Sequence, residues 1–123
     1  MKKMLVVDDE PGVCDFIEGF FGERDYEVDS ACNGQEAIDK VESQKPDIVL
    51  LDIRLPVVDG FKTFKKIQEI DGSIKTIFIT AYTDFGMTKK RLLNEGAYAF
   101  VEKPISSLKE LEDIVNKAAE TDE

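Results

Sequence analysis

The sequence predicts an α/β domain in which a five-stranded parallel β-sheet is covered by helices on both faces. Short apolar runs alternate five times with segments that have the i, i+3, i+4 spacing of amphipathic helices, and the connections are short. The run Ile48–Leu51 is apolar at each position and lies between turn residues, which is typical of a strand buried on both faces. Alternating strands and helices give parallel sheets with right-handed crossovers.

The first strand and helix are predicted from an apolar run and a helix-start signal. Residues 4–7 are apolar and end at Asp8. Pro11 suits the first helical turn, because its missing N–H would have no partner inside the helix there. The helix extends to about Glu23, with the apolar positions Val13, Phe16, Ile17, Phe20 and Phe21 at helical spacing.

The second unit leads to the central strand. Residues Tyr26–Ala31 alternate weakly between apolar and polar, which is typical of a short strand near a sheet edge. Asn33 begins the next helix, and Glu36 three residues later completes a capping-box arrangement. The predicted inner face of this helix consists of Ala37, Ile38 and Val41. A Lys-Pro-Asp turn then leads into Ile48–Leu51, which ends at Asp52.

The third helix follows a loop after the central strand. This loop is predicted to close in a turn at Asp59-Gly60. The helix has apolar residues at helical spacing and three lysines around its outer side. Residues 76–80 are predicted to form the fourth buried strand, which ends on the hydroxyl of Thr80.

The last two helices have clear boundary signals. Residues 84–95 are predicted to be helical, with Gly96 as the C-terminal cap. Ala99–Glu102 is the fifth strand. Ser107 and Glu110 form a second capping box, and the inward positions of the final helix are Leu108, Leu111, Ile114, Val115 and Ala118.

Composition excludes several classes of function. The 123 residues are enough for one domain, and they include no histidine, which excludes Ser-His-Asp chemistry and histidine-ligated metals. The net charge of −10 argues against direct binding to nucleic acid. Only four apolar residues lie between Lys3 and Asp8, too few for a signal peptide or a membrane span, so we expect a cytoplasmic protein. Cys14 and Cys32 are expected to be reduced thiols.

Five reactive side chains are predicted to meet at one edge of the sheet. Asp8 and Asp9 follow the first strand, Asp52 ends the third, Thr80 ends the fourth and Lys103 follows the fifth. In a parallel sheet these strand ends lie along the same edge, where open α/β sheets bind their ligands.

The chemistry of this set points to phosphoryl transfer. Clustered carboxylates repel one another unless a cation lies among them, and an all-oxygen donor set favours Mg²⁺. Lys103 adds a positive charge and Thr80 adds a hydroxyl donor, and both can stabilise a transferring phosphoryl group. Asp52 is then the nucleophile, and it forms an aspartyl phosphate.

The same motifs, in the same order and near the same spacing, occur in a known family. They are Asp8-Asp9, Asp52 within Leu-Leu-Asp-Ile-Arg-Leu-Pro, Asp59-Gly60, Thr80-Ala81 and Lys103-Pro104. On this set the chain resembles, nearly end to end, the receiver domain of a two-component response regulator of the chemotaxis-receiver-like superfamily. The resemblance implies one receiver domain over residues 1–123, with a flavodoxin-like (βα)5 fold and the strand order 2-1-3-4-5.

The resemblance assigns roles to the matched residues. Asp52 resembles the phosphoacceptor, which takes its phosphoryl group from a sensor histidine kinase or a phosphotransfer protein. The implied cofactor is Mg²⁺ or Mn²⁺, held by Asp9, Asp52 and the backbone carbonyl of Arg54, with Asp8 acting through water. The implied phosphoryl-binding residues are Thr80, Ala81 and Lys103. Such a domain catalyses only its own phosphorylation and dephosphorylation, and it is otherwise not an enzyme.

The resemblance also implies how the signal leaves the domain. Phe100 matches the aromatic residue whose rotamer reports phosphorylation. The surface of the fourth helix, fifth strand and fifth helix then changes its affinity for a downstream protein or an effector domain. A phosphorylation-dependent dimer is compatible with this implication, whereas binding to a membrane is not expected. Arg54 and Tyr82 flank the expected phosphoryl position and are predicted to slow hydrolysis.

Three alternatives are weighed against a stand-alone receiver. Residues 1–123 can equally be the N-terminal receiver of a longer transcriptional regulator. A phosphatase of the haloacid dehalogenase kind needs a carboxylate two residues after the nucleophile, where this chain has Arg54. A flavin-binding module needs a Ser-, Thr- and Gly-rich loop after the first strand, where this chain has three acidic residues.

The basic run at 89–91 is interpreted as a solvated helix face in preference to a binding surface.

Overall fold

The computed structural model describes residues 2–55, 58–81, 87–103 and 108–120, and within them it contains the predicted alternation of strands and helices. The strands are β1 Lys2–Val7, β2 Tyr26–Ala31, β3 Ile48–Leu51, β4 Lys75–Thr80 and β5 Ala99–Glu102. The helices are α1 Pro11–Gly22, α2 Gly34–Gln44, α3 Gly60–Ile70, α4 Met87–Asn94 and α5 Leu108–Glu120. None of these helices is both long and apolar enough to cross a membrane.

The five strands form one parallel sheet in the order β2-β1-β3-β4-β5, as the resemblance implied. β1 and β3 lie side by side at its centre, with Val7 opposite Leu51. The residues that directly follow these two strands are Asp8 and Asp52. The register therefore brings both carboxylates to neighbouring positions at the carboxyl edge of the sheet.

Successive side chains of the central strands fill two cores, one on each face of the sheet. One core packs Leu5, Val7, Val49, Leu51 and Phe78 against α2, α3 and α4. The other core packs Met4, Val6, Leu50, Ile77 and Ile79 against α1 and α5. Because both faces are covered, these strands are apolar at successive positions instead of alternating.

Helix α1 buries a narrower stripe than its apolar residues suggested. Cys14, Ile17 and Phe21 are buried, whereas Phe16 is 53% exposed. The buried stripe repeats at intervals of three and four residues, so Phe16 lies on a different side of the helix from Cys14 and Phe21.

The boundary signals of α2 and α4 are confirmed. The side chain of Asn33 accepts a hydrogen bond from the Glu36 N–H at 2.8 Å. The Glu36 carboxylate reaches back to the N–H of Cys32, one residue before the cap, also at 2.8 Å. Gly96 lies two residues after the end of α4. Its φ of +111° is a left-handed conformation that favours glycine and is typical of the residue that follows a helix.

The Asp59-Gly60 pair was assigned wrongly to a turn. Gly60 is the first residue of α3, and the Asp59 side chain caps this helix by accepting a hydrogen bond from the Lys62 N–H at 2.9 Å. Asp is favoured both in turns and at helix N-caps, so the dipeptide alone does not separate the two. The predicted helical start at 84–86, the capping residue Ser107 and the tail at 121–123 lie outside the described residues.

Thr76, in β4, carries a buried hydroxyl that has no hydrogen-bond partner among the described residues. We expect Thr76→Val to raise the free energy of unfolding by about 1 kcal/mol, because a methyl group replaces a desolvated hydroxyl. Urea denaturation measures this change. The matched control is Thr63→Val, which removes a hydroxyl that donates to the Asp59 carbonyl at 2.8 Å and should lower stability by about 1 kcal/mol. Equal losses in both variants would contradict the prediction.

Candidate functional site

Three carboxylates meet at the carboxyl edge of the sheet. Asp8 and Asp9 follow β1, and Asp52 follows β3. The Asp52 N–H donates to the Val7 carbonyl at 3.1 Å, which joins the two strand ends. One oxygen of each carboxylate lies within 4.8 Å of the other two. Asp8 and Asp52 are buried and Asp9 is exposed, so the cluster is open to solvent on the side of Asp9.

Lys103 places an ammonium group directly among these carboxylates. Its Nζ donates to Asp8 Oδ2 at 2.6 Å and to Asp52 Oδ2 at 3.1 Å. Its backbone N–H donates to the Thr80 carbonyl at 2.9 Å, which fixes the end of β5 beside β4. The sequence alone predicts that a metal ion compensates the carboxylate charge. The structure shows that Lys103 supplies part of it.

Burial and hydrogen bonding act in opposite directions on this pair of charges. Burial raises the pKa of Asp8, and hydrogen bonds from Lys103 and from the Glu10 N–H only partly oppose this. For Lys103, burial disfavours the charged form, but the hydrogen bonds to Asp8 and Asp52 outweigh it and raise the pKa of the ammonium. Lys103 therefore stays charged, and its contact with Asp8 offsets only part of the effect of burial on that carboxyl group.

The site fits a divalent cation of the Mg²⁺ or Mn²⁺ type. Three carboxylates face one half-buried ammonium, which leaves an excess of negative charge, and the clustered donors are all oxygens. Arg54 lies beside the cluster, because its backbone N–H donates to Asp52 Oδ1 at 3.2 Å. The predicted ligand roles of Asp9, Asp8, Asp52 and the Arg54 carbonyl remain predictions.

The other predicted site residues differ in how exposed they are. Thr80 is fully buried at the end of β4, and Ala81 after it is exposed. Phe100 in β5 lies opposite Phe78 and is half-buried against the core that contains α3 and α4. Tyr82 lies outside the described residues. The roles of Thr80, Ala81 and Phe100 stay predictions.

Gly60 packs against the backbone next to Asp52, and the sequence did not predict this contact. A Cβ at this position would lie 2.4 Å from the Asp52 carbonyl oxygen and 2.5 Å from the Ile53 Cα. The Gly60 N–H also donates to the Ile53 carbonyl at 2.8 Å. The Asp-Gly dipeptide was the only sequence signal, and it does not reveal which backbone packs against the glycine.

Cys14 is a free, buried thiol beside Asp8. Its Sγ donates to the Asp8 carbonyl at 3.4 Å. Burial, together with the nearby carboxylate of Asp8, raises the pKa of the thiol to about 11. The thiolate is therefore disfavoured at neutral pH, and a reactive role is not supported.

The raised pKa of Asp8 predicts how metal-free stability depends on pH. The folded state holds the Asp8 proton more tightly than the unfolded chain does, so Asp8 lowers stability as the pH rises through its folded pKa. We expect Asp8→Asn to stabilise the metal-free protein at neutral pH by on the order of 1 kcal/mol, and to give no gain below about pH 4.

Urea denaturation in EDTA at acidic and neutral pH measures the effect of Asp8→Asn. Added Mg²⁺ should raise the melting temperature of the unaltered protein, because a ligand of the folded state stabilises it, and should raise that of the variant less. A stability loss at neutral pH, or the same gain at both pH values, would show that the buried Asp8 charge does not lower the stability of the folded state.

One family model and several known proteins match most of this chain. The family model described as "Response regulator receiver domain" matches residues 4–116. Sporulation initiation phosphotransferase F of Bacillus subtilis is 34% identical over 116 residues, which are 94% of this chain and 92% of that protein. Transcriptional regulatory protein TrcR of Mycobacterium tuberculosis is 38% identical over 113 residues, which are 92% of this chain but 42% of the regulator.

One solved structure is similar to this chain in both fold and sequence. Response regulator protein TrrA from Thermotoga maritima, in complex with Mg(2+)-BeF, has a TM-score of 0.84 and 35% identity, and the match covers 96% of this chain and 99% of that one. The family match extends over nearly the whole chain and includes each acidic residue of the cluster together with Lys103. The chain therefore belongs to the family of response regulator receiver domains.

Proposed function

We propose that the chain is a phosphorylation-operated switch of a two-component or phosphorelay system, with Asp52 as the phosphoacceptor. Receiver domains are phosphoacceptor switches that interact with histidine kinases or phosphotransfer proteins and with effector domains, and they are not ordinary enzymes. The observation that carries the proposal is the buried Asp52 carboxylate, 3.1 Å from the Lys103 ammonium and clustered with Asp8 and Asp9.

The proposed step is a transfer from nitrogen to oxygen. An oxygen of Asp52 attacks the phosphorus of a phosphohistidine, an O–P bond forms and the P–N bond breaks. The electron pair of the broken bond stays on the imidazole nitrogen, which then takes a proton from solvent. Because this chain has no histidine, the donor must belong to a partner protein.

Asp9, Asp52 and the Arg54 carbonyl would hold Mg²⁺ or Mn²⁺, with Asp8 acting through water. When bound, the ion would neutralise developing charge on the phosphoryl oxygens. Lys103 is already hydrogen-bonded to Asp52, so the phosphoryl oxygens would meet a charged donor without a large movement of its backbone. Thr80 would donate its hydroxyl from the neighbouring strand end, and small Ala81 would leave room beside it.

The proposed output is a population shift triggered by the new charge. Phosphorylation draws Lys103 and Thr80 toward the phosphoryl oxygens, and Phe100 turns inward from its half-buried position. The surface of α4, β5 and α5 then changes its affinity for a downstream target. We propose residues 1–123 as a single receiver domain. Its relatives include a protein of similar length and a longer regulator, so the target is either a separate protein or an attached effector domain.

The decisive experiment is phosphorylation with acetyl phosphate and Mg²⁺, followed by mass spectrometry. We expect the mass of one phosphoryl group on the unaltered protein and none on Asp52→Asn. The matched control is Asp39→Asn on the exposed side of α2, which should accept the group normally. If no mass is added, or if the added mass survives Asp52→Asn, Asp52 is not the acceptor.

The lifetime of the aspartyl phosphate gives a further prediction. The resemblance implies that Arg54 and Tyr82 flank the phosphoryl position, where they should restrict the attacking water. We expect Arg54→Ala combined with Tyr82→Ala to speed hydrolysis several-fold, measured as the decay of phosphorylated protein after excess acetyl phosphate is removed. The control replaces exposed Arg24 by alanine. An unchanged lifetime in the double variant would contradict the assignment.

A further inference from the structure

Glu10 is the last of three consecutive acidic residues after β1, and it is the N-cap residue of α1. Asp, Asn, Ser and Thr are favoured at this position, because their short side chains accept hydrogen bonds from the first N–H groups of the helix. Among the described residues, the Glu10 side chain makes no such capping hydrogen bond. Its backbone N–H donates to Asp8 Oδ1 at 3.0 Å, so the main chain of Glu10 adjoins the acidic cluster.

The carboxylate of Glu10 faces the ammonium group of the site instead of the helix. Glu10 Oε1 lies 3.6 Å from Lys103 Nζ, which also contacts Asp8 at 2.6 Å and Asp52 at 3.1 Å. The Glu10 side chain is 68% exposed, whereas that of Lys103 is 16% exposed. Lys103 therefore contacts three carboxylates in this arrangement, two of them buried and one of them open to solvent.

Phosphoryl transfer changes what this ammonium group must contact. Asp8 and Asp52 are predicted to interact with the metal ion, which gives them a counter-charge when Lys103 turns toward the phosphoryl oxygens. Glu10 belongs to none of the predicted ligand positions, so its carboxylate keeps its full charge and continues to attract Lys103. An interaction that is stronger in the starting state than in the transition state slows the reaction.

We propose that Glu10 is a positioning residue that holds Lys103 in its resting arrangement and thereby slows phosphoryl acceptance by Asp52. The inference rests on the proposed function, because it needs Asp52 as the acceptor. It predicts an effect that a purely structural role would not produce, since removal of the Glu10 carboxylate should make the reaction faster. Because this carboxylate is largely exposed, its loss should leave the stability of the fold nearly unchanged.

The test compares Glu10→Gln with the unaltered protein in the reaction with acetyl phosphate at saturating Mg²⁺. We expect the variant to gain phosphoryl mass about threefold faster, the size expected for one nearby charge in a site open to solvent. The matched control is Glu23→Gln, which makes the same charge change just after the other end of α1 and should leave the rate unchanged. Urea denaturation should give nearly the same midpoint for all three proteins.

Two further comparisons separate the contact with Lys103 from general repulsion of the anionic donor. Glu10→Asp keeps the charge, but Asp is a favoured N-cap whose carboxylate bonds to the first turn of α1. We therefore expect it to react about as fast as Glu10→Gln. In Lys103→Met, with rates corrected for the unfolded fraction, Glu10→Gln should give no acceleration, because the cation on which Glu10 acts is absent. If Lys103→Met does not react, Glu10→Asp decides alone.

Three results would overturn the role of Glu10 while leaving Asp52 as the acceptor. They are an equal or slower rate in Glu10→Gln, the same acceleration in Glu23→Gln, and a rate in Glu10→Asp as slow as that of the unaltered protein. Acceleration by Glu10→Gln within Lys103→Met would likewise show that Glu10 does not act through the lysine. If the unaltered protein gains no mass, or if Asp52→Asn keeps the added mass, the proposed function fails and the role of Glu10 fails with it.

Discussion

Lys103→Met is expected to lower the free energy of unfolding of the metal-free protein at neutral pH by about 3 kcal/mol. The reason is that Asp8 and Asp52 are both buried, and Lys103 Nζ is hydrogen-bonded to both. Removing one partner of a buried ionic cluster leaves uncompensated charge, which costs far more than the cluster contributes when it is complete. Urea denaturation in EDTA measures the loss.

Two dependences identify the cause of the loss in Lys103→Met. The destabilisation should shrink as the pH falls, because protonated carboxyl groups no longer need a cation. It should also shrink on addition of Mg²⁺, which binds the folded state and replaces the missing positive charge. Lys103→Arg keeps the charge and should lose much less stability.

The control for the lysine substitution is Lys109→Met. Lys109 pairs with Asp113 at 3.0 Å on the exposed surface of α5, and exposed pairs contribute little. This variant should be nearly as stable as the unaltered protein at each pH. If Lys103→Met and Lys109→Met have the same stability, Lys103 does not compensate the carboxylates.

Gly60→Ala is expected to impair both stability and phosphoryl acceptance. The new Cβ would meet the Asp52 carbonyl oxygen and the Ile53 Cα, and these backbone atoms cannot move aside as a flexible side chain would. Overpacking of this kind costs about 1–3 kcal/mol, and here relief requires a shift of the backbone that holds the acceptor. We therefore expect a loss of about 2 kcal/mol and a several-fold slower gain of phosphoryl mass with acetyl phosphate.

Gly19→Ala on α1 is the matched control for Gly60→Ala. A Cβ at Gly19 would meet nothing within 4 Å, so alanine should stabilise the helix by up to about 1 kcal/mol and leave phosphorylation unchanged. Correction of the phosphorylation rate for the unfolded fraction separates the two effects of Gly60→Ala. An unchanged corrected rate would show that Gly60 supports the fold but does not position Asp52.

The sequence by itself determined the strands, the approximate helices and the edge at which the reactive residues meet. Each of these depends on local information, namely apolar periodicity, caps such as Asn33 and the polar residues at the ends of apolar runs. Once the strands are parallel, Asp8 and Asp52 must emerge at one edge, and this convergence needs no knowledge of side-chain contacts.

Only the tertiary structure decided which groups touch. The contact of Lys103 with Asp8 joins residues 95 positions apart, and the packing of Gly60 on the Asp52 carbonyl depends on the path of the β3–α3 loop. Local patterns specify elements and the faces they bury, whereas contacts between side chains depend on how those elements pack, which periodicity does not encode.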